Sequence, residues 1–302
     1  SGPEATISGH GDCMYLCATP GSGLRPHPAI HPFWSTAVPN PLISVIVPTY
    51  NQAQYLGACL DSIWFQDAPN LEIIVVNDCS TDATAQVLQD FQRAVAEETV
   101  SYAARYDEGP DVIVRHEHPR YTAQGRKLVV LHNEQNMGST RTYNRGFMAA
   151  TGDYCTYIAS DDLCHPQMLS TLAAPLNAGQ ADFTYSDMFV FDDQGRILRE
   201  FKLPDYSFEA SFCDWYLCGV SKLYRRALHD TLGWYNNDFL ANDHELYLRF
   251  ALAGVRFLHV PKTLYSVRTH ANREVNVHSS SNWAKLLEES KSLVRRARAA
   301  KP

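Results

Sequence analysis

The chain has 302 residues, 45% hydrophobic and 20% charged, with a formal net charge of −7. That length and composition fit a globular protein of one large or two small domains with a sizeable core. The acidic balance argues against nucleic acid as a partner, because phosphate binding leaves a basic footprint. No apolar run reaches the ~18 residues that a membrane-spanning helix requires.

Residues 1–41 form a Gly-, Pro- and His-rich extension, and the six prolines from Pro20 to Pro41 forbid regular helix there. His27 and His31 lie in it without a third ligand nearby and read as surface residues. The pattern then changes. "LISVIVP" is a continuous apolar run of strand length, as expected of a buried parallel strand. "YLGACLDSIWFQ" has helical spacing. "LEIIVVND" is a second buried strand, and "TDATAQVLQDFQRAV" a second helix capped by Thr81 or Asp82. The polar stretch 97–127 is long for a loop, with a short strand predicted at "DVIVRHE". "KLVVLHN", "STRTYNRGFMAA" and "YCTYIAS" follow as strand, helix and strand. Such alternation means βαβ units and a parallel sheet with helices on both faces. Beyond Pro166, "ADFTYSDMFVFDDQGRILREF" reads as a hairpin turning at Asp193-Gln194-Gly195. "NDHELYLRFALAG" is an amphipathic helix, "RFLHVPKTLYSVRTH" a strand, and "NWAKLLEESKSLVRRARAA" a closing helix.

The eight cysteines include no CxxC pair, so a structural zinc site is not expected. Several sit in apolar runs and read as small core residues. Together with the absence of a signal-peptide pattern, they point to a reducing, cytoplasmic setting.

Ligands of an open parallel sheet bind at the carboxyl ends of its strands. Here those ends read Pro48-Thr49-Tyr50-Asn51, Asn77-Asp78-Cys79-Ser80 and Ser160-Asp161-Asp162. Asp161 and Asp162 alone read either as a solvated turn capping the next helix or as a pair whose repulsion a divalent cation relieves. An acidic crevice repels bare phosphate, so it holds a phosphate through a cation or reads a neutral sugar or base. Neither GxGxxG nor GxxxxGK[ST] occurs, which disfavours a dinucleotide dehydrogenase and a P-loop ATPase.

"ISVIVPTYN", "IIVVNDCSTDAT", "NMGSTRTYNRGFMAATGDYCTYIASDD" and "GWYNNDFLANDHELYLRFALAG", in this order, resemble the nucleotide-sugar glycosyltransferases of family two. The resemblance covers about residues 42–270 and implies an α/β fold of GT-A type. Its central sheet is Rossmann-like, mostly parallel and flanked by helices, with a smaller acceptor-side subregion. The implied divisions are the extension 1–41, a nucleotide-sugar half 42–165, an acceptor half 166–280 carrying the base, and a C-terminal helix 281–302.

By the same resemblance, Thr49 and Asn51 line the nucleotide pocket and Asp78 reads the base edge. Asp162 binds Mn²⁺ or Mg²⁺, and Asp161 the ribose or the metal's waters. His270 is a further metal ligand or a diphosphate contact. Asp243 is the general base of an inverting transfer, with Asn242 where the family usually has Glu and Ala159 where a fuller metal motif has an acid. A plainer reading has Asp243 cap its helix while Glu245 pairs with Arg249. Arg141, Arg268 and Trp215 are candidates for phosphate or acceptor contacts. The implied donor is a nucleoside-diphosphate sugar, UDP-linked by family frequency. The acceptor is a glycan, a lipid-linked glycan or a protein. The last helix, with Leu286, Leu287, Leu293, Val294 and a basic end, reads as docked on the domain or as a peripheral contact with the inner membrane face. A sugar-nucleotide nucleotidyltransferase would want a Gly-rich basic loop where "PTYNQAQYLG" stands. A non-catalytic sugar-nucleotide-binding module draws support from Ala159 and Asn242.

Overall fold

The computed structural model describes residues 40–214, 218–271 and 280–300. Residues 1–39 of the extension, Trp215, Tyr216 and Lys301 lie outside the described residues. In chain order the first half contains β1 (Ile43–Thr49), α1 (Ala53–Trp64), β2 (Leu71–Asn77), α2 (Thr84–Glu97), β3 (Thr99–Asp107), β4 (Val112–Pro119), β5 (Arg126–His132), α3 (Ser139–Ala149), β6 (Tyr154–Tyr157) and β7 (Leu163–Cys164). The second half contains α4 (Met168–Asn177), β8 (Phe183–Phe191), β9 (Ile197–Phe201), a π-helical turn (Glu209–Asp214), β10 (Lys222–Arg225), α5 (Ala227–Leu232), α6 (Asn242–Leu252), β11 (Phe257–Arg268) and α7 (Ser280–Ala299).

One sheet runs through both halves in the order β5-β2-β1-β6-β10-β8-β11-β7, with β9 on β8. The strands of the first half, β5-β2-β1-β6, are parallel. The second half is mixed: β10 runs antiparallel to β6 and β8, and β11 parallel to β8. Side chains alternate along each strand, so β1 and β2 feed two cores. Val45, Val47, Ile73 and Val75 pack with Leu56, Leu60, Ile63 and Trp64 of α1 and with Leu88 and Phe91 of α2. Ile46, Ile74 and Val76 pack on the other face with Tyr143 and Phe147 of α3 and Leu246, Tyr247 and Phe250 of α6. Strands buried on both faces need continuous apolar runs, which is why these two were plain in the sequence.

Three elements differ from expectation. The 97–127 stretch holds a whole hairpin, β3 with β4, not one short strand. Nearly all of it is exposed, so its strands lack the apolar alternation that marks a buried face. Helix α2 begins at Thr84 after Ala83, and Asp82 Oδ1 accepts the Thr84 N–H at 2.9 Å. Helix α4 was not foreseen; it carries Pro175 inside it, a residue that usually ends a helix.

The closing helix is docked. Leu293, Val294 and Ala297 of α7 are buried, and Arg298 Nε donates to the Cys213 carbonyl at 2.8 Å. Glu289 Oε2 accepts the N–H groups of Leu240 and Ala241 at 2.7 and 2.8 Å, tying α7 to the start of α6. Half of the apolar stripe that suggested a membrane contact, Leu293 and Val294, is thus committed to the domain. No helix among the described residues is long and apolar enough to cross a membrane.

Candidate active site

The carboxyl ends of β1, β2 and β6 open onto a cleft of about 740 Å³, whose lining includes Thr49, Asp78, Tyr157, Asp161, Asp162 and Asn242. Of the described residues that line it, three are carboxylates and none is Lys, Arg or His.

Asp78 follows β2 and is 3% exposed. Its Oδ1 accepts from Asn133 Nδ2 at 2.6 Å and from the Met137 N–H at 2.8 Å. Its Oδ2 accepts the Gly138 N–H at 2.9 Å. Gly138 has φ +80°, a left-handed conformation that a side chain would strain. Asn133 also donates to Thr142 Oγ1 at 3.2 Å, and Arg145 bonds both the His132 carbonyl and Asn133 Oδ1. A carboxylate has about four lone-pair sites, so three donors fix Asp78 and leave capacity for one more. Asn133 and Arg145 were missed by the sequence reading, although Asn133 follows the third strand just as Asp78 follows the second.

The other two acids lie in the turn between β6 and β7, past the strand end at Tyr157. Asp162 is 1% exposed; its Oδ2 accepts from Tyr265 Oη at 2.9 Å and its Oδ1 from the Arg268 N–H at 2.9 Å. Asp161 Oδ2 meets His270 Nε2 at 3.0 Å. The imidazole packs at a tilt against Tyr55, 4.8 Å between centroids. β11 thus brings its end back to the first half and places His270 beside Asp161. Among the described residues no group of three or more His, Cys, Asp or Glu side chains is arranged to hold a metal by itself. Mg²⁺ and ions like it are commonly held by one or two carboxylates plus substrate phosphates and water, without an all-protein cage. The pair Asp161 and Asp162, in a cleft lined among the described residues by no cationic side chain, fits that donor set.

Asp243 stands in the first turn of α6. Its Oδ2 accepts from Tyr157 Oη at 2.8 Å, while its Oδ1 is buried with no hydrogen-bond partner. The carboxylate therefore does not cap its helix, although Glu245 does pair with Arg249 at 2.6 Å. Burial, then the charge of Asp243, pushes the Tyr157 phenol well above its ordinary range. Asp243 borders a second cavity of about 320 Å³, between the start of α6 and Trp283, Leu286, Leu287 and Ser290 of α7. Asn242 lines both cavities, and its Nδ2 donates to Thr140 Oγ1 at 2.8 Å.

The remaining candidates are placed as follows. Thr49 lines the cleft, and its buried Oγ1 has no partner. Asn51 lies outside the lining; its Oδ1 accepts the Thr81 and Asp82 N–H groups at 2.8 and 3.3 Å and braces the loop after β2. Arg268 lies outside it too, with its guanidinium over the rings of Tyr55 and Phe191 and its Nε on the Asp161 carbonyl at 3.0 Å. Arg141 is exposed on α3. Trp215 lies outside the described residues.

Known proteins bear on this geometry. The profile of glycosyl transferase family 2 matches residues 44–233. The glycosyltransferase GlyG of Streptococcus pneumoniae is 24% identical over 267 residues, covering 82% of this chain and 77% of its own. TarS of S. aureus, in a crystal structure with UDP-GlcNAc, superposes with a TM-score of 0.57 at 23% identity, over 76% of this chain and 59% of that one. The mannosyltransferase PcManGT of Pyrobaculum calidifontis, in complex with GDP-Man and Mn²⁺, does so with a TM-score of 0.54 at 18% identity, over 89% of this chain and 67% of that one. The mixed α/β sheet is that of the GT-A glycosyltransferases, and the chain belongs to glycosyl transferase family 2.

Proposed function

We propose that this glycosyltransferase moves a sugar from a nucleoside-diphosphate sugar, UDP-linked, to a hydroxyl of a glycan, lipid-linked or protein acceptor, with inversion at the anomeric carbon. The observation that carries the reading is the charge of the cleft: three carboxylates line it and, among the described residues, no basic side chain does. A diphosphate is repelled from such a place unless a divalent cation accompanies it. The donors named for the TarS and PcManGT complexes, and the Mn²⁺ of the latter, support the same chemistry.

On this reading residues 42–165 hold the donor and residues 166–280 the acceptor. Asp78 accepts an N–H from the base with its remaining lone pair. Thr49 Oγ1, buried and unpartnered, offers a hydrogen bond to the nucleotide. Asp161 and Asp162 would hold Mn²⁺ or Mg²⁺, with His270 beside Asp161; the bound ion supplies charge stabilisation on the departing diphosphate. Asp243 takes the proton of the attacking hydroxyl. Its unpartnered Oδ1 is the one carboxylate oxygen of Asp243 not committed to Tyr157. Direct displacement by that hydroxyl inverts the sugar's configuration.

The test is a panel of nucleoside-diphosphate sugars with Mn²⁺, read by mass spectrometry for free nucleotide and glycoside. Release of UDP from at least one UDP-sugar, abolished by EDTA, is the expected result. Turnover that is indifferent to EDTA overturns the metal role, and turnover of no donor overturns the enzymatic reading.

A further inference from the structure

Lys222 is an unexpected residue in this fold. It lies on β10, between two neighbouring strands, and its exposure is 0%. Fully buried lysines are rare unless paired. Here Nζ donates to the Val220 carbonyl at 3.3 Å and lies 3.6 Å from the centroid of the Tyr157 ring. Tyr157 in turn donates its hydroxyl to Asp243 Oδ2 at 2.8 Å. Lysine, aromatic ring and carboxylate thus form a continuous row, and two members of the site, Val220 and Tyr157, line the cleft above the lysine.

We propose that Lys222 is a positioning residue for Asp243: a buried cation that acts through Tyr157 to keep the carboxylate ionised. The argument is one of charge balance. Burial pulls the Lys222 ammonium below its usual range, and Asp243 and then Asp162 offset that fall in part. A cation on the face of a desolvated tyrosine is favoured electrostatically. Polarised by it, the phenol is a stronger hydrogen-bond donor to the carboxylate.

Among the described residues, the other groups facing Asp243 do not supply that charge. α3 presents Tyr143, β6 Tyr157, and β10, besides Lys222, presents Tyr224. The loops before β10 and before α6 present Cys218 and Tyr235. Burial pushes all of these upward, which keeps them neutral. On α6 itself His244 is pushed down to about 4 by burial, and Glu245 is paired with Arg249. From α7, Glu289 pairs with Lys285 at 3.7 Å. Lys222 is the group of this set that brings Asp243 an uncommitted positive charge.

The consequence for catalysis rests on Asp243 being the proton acceptor, but the charge relation is measured without donor or acceptor. The protein is labelled with ¹³C at the aspartate carboxyls and titrated by NMR, with Asp243 assigned by the signal missing in Asp243→Asn. Lys222→Met keeps the length and removes the charge. Loss of a cation disfavours the carboxylate, so the Asp243 midpoint should rise by about one pH unit or more, a tenfold change in its ionisation constant. Lys222→Arg should leave the midpoint near that of the wild type. A midpoint unchanged in Lys222→Met, or raised as much in Lys222→Arg as in Lys222→Met, overturns the proposal. Should Lys222→Met fail to fold, Lys222→Gln is titrated in its place with the same two readings. Inactivity towards every donor, with the midpoint shifted as expected, would sink the enzymatic reading and leave this one standing.

Discussion

Asp78 and Asp243 are both acids near the ends of this cleft's elements, yet the fold treats them differently. Asp78 accepts three hydrogen bonds from Asn133, Met137 and Gly138. Asp243 accepts one, from Tyr157, and its other oxygen accepts none. A carboxylate held by several donors is fixed in place, which makes it a good positioning group. A carboxylate with an unsatisfied buried oxygen keeps capacity for a proton, and the fold tolerates the cost of leaving it so. On the proposed reading, Asp78 is prepared for binding and Asp243 for proton transfer.

The comparison breaks most sharply at Asp243. Asp243→Asn keeps the shape and removes the proton acceptor, so turnover should fall by about 10²–10⁴-fold while UDP affinity holds. Near-normal turnover would return Asp243 to a structural role. At Asp78 the order reverses: Asp78→Ala should weaken UDP binding by roughly 1–3 kcal/mol, measured by calorimetry. It leaves the Met137 and Gly138 N–H groups to find water. Tyr157→Phe sharpens the contrast. It leaves Asp243 Oδ2 without its donor but keeps the ring that covers Lys222. Thermal melting should show a loss of about 1–3 kcal/mol, the cost of a buried acceptor left unpaired.

Glu72 gives the smallest and most local test, away from the site. It lies on β2 and receives Lys127, Ser44 and the Thr151 N–H at 2.7, 2.8 and 2.8 Å. Burial pushes its carboxyl up, but the hydrogen bonds from Lys127, Thr151 and Ser44 outweigh it and leave the group below its usual range. A lowered folded value means stability that is present above the ordinary Glu value, about 4.3, and is lost as pH falls through the folded one. Glu72→Gln should flatten the acid limb of a melting-temperature profile and leave UDP binding unchanged.

The first half was legible because its signals are local. β1 and β2 are apolar runs, and their polar tips follow directly in sequence, so Thr49 and Asp78 could be named without knowing the sheet order. Asp161 and Asp162 were found the same way. The supports were not legible. Tyr265 reaches Asp162 across 103 positions, and β10, four residues long, inserts between β6 and β8 by pairing that no periodicity reveals. Lys222 was not singled out by the sequence; the pairing of β10 with β6 and β8 buries it. The β3–β4 hairpin escaped because neither face is covered; Asn51 and Arg268 lie outside the cleft's lining and bond the loop after β2 and the Asp161 carbonyl.

The central claim is that a cation carries the donor's diphosphate into an acidic cleft, and calorimetric titration with UDP tests it directly. The protein is titrated in Mn²⁺ and again in EDTA, with Asp162→Ala run in Mn²⁺ beside it. The account predicts binding in Mn²⁺, a loss of at least about tenfold, or 1.4 kcal/mol, in EDTA, and a similar loss in Asp162→Ala. Equal affinity in Mn²⁺ and EDTA would contradict it.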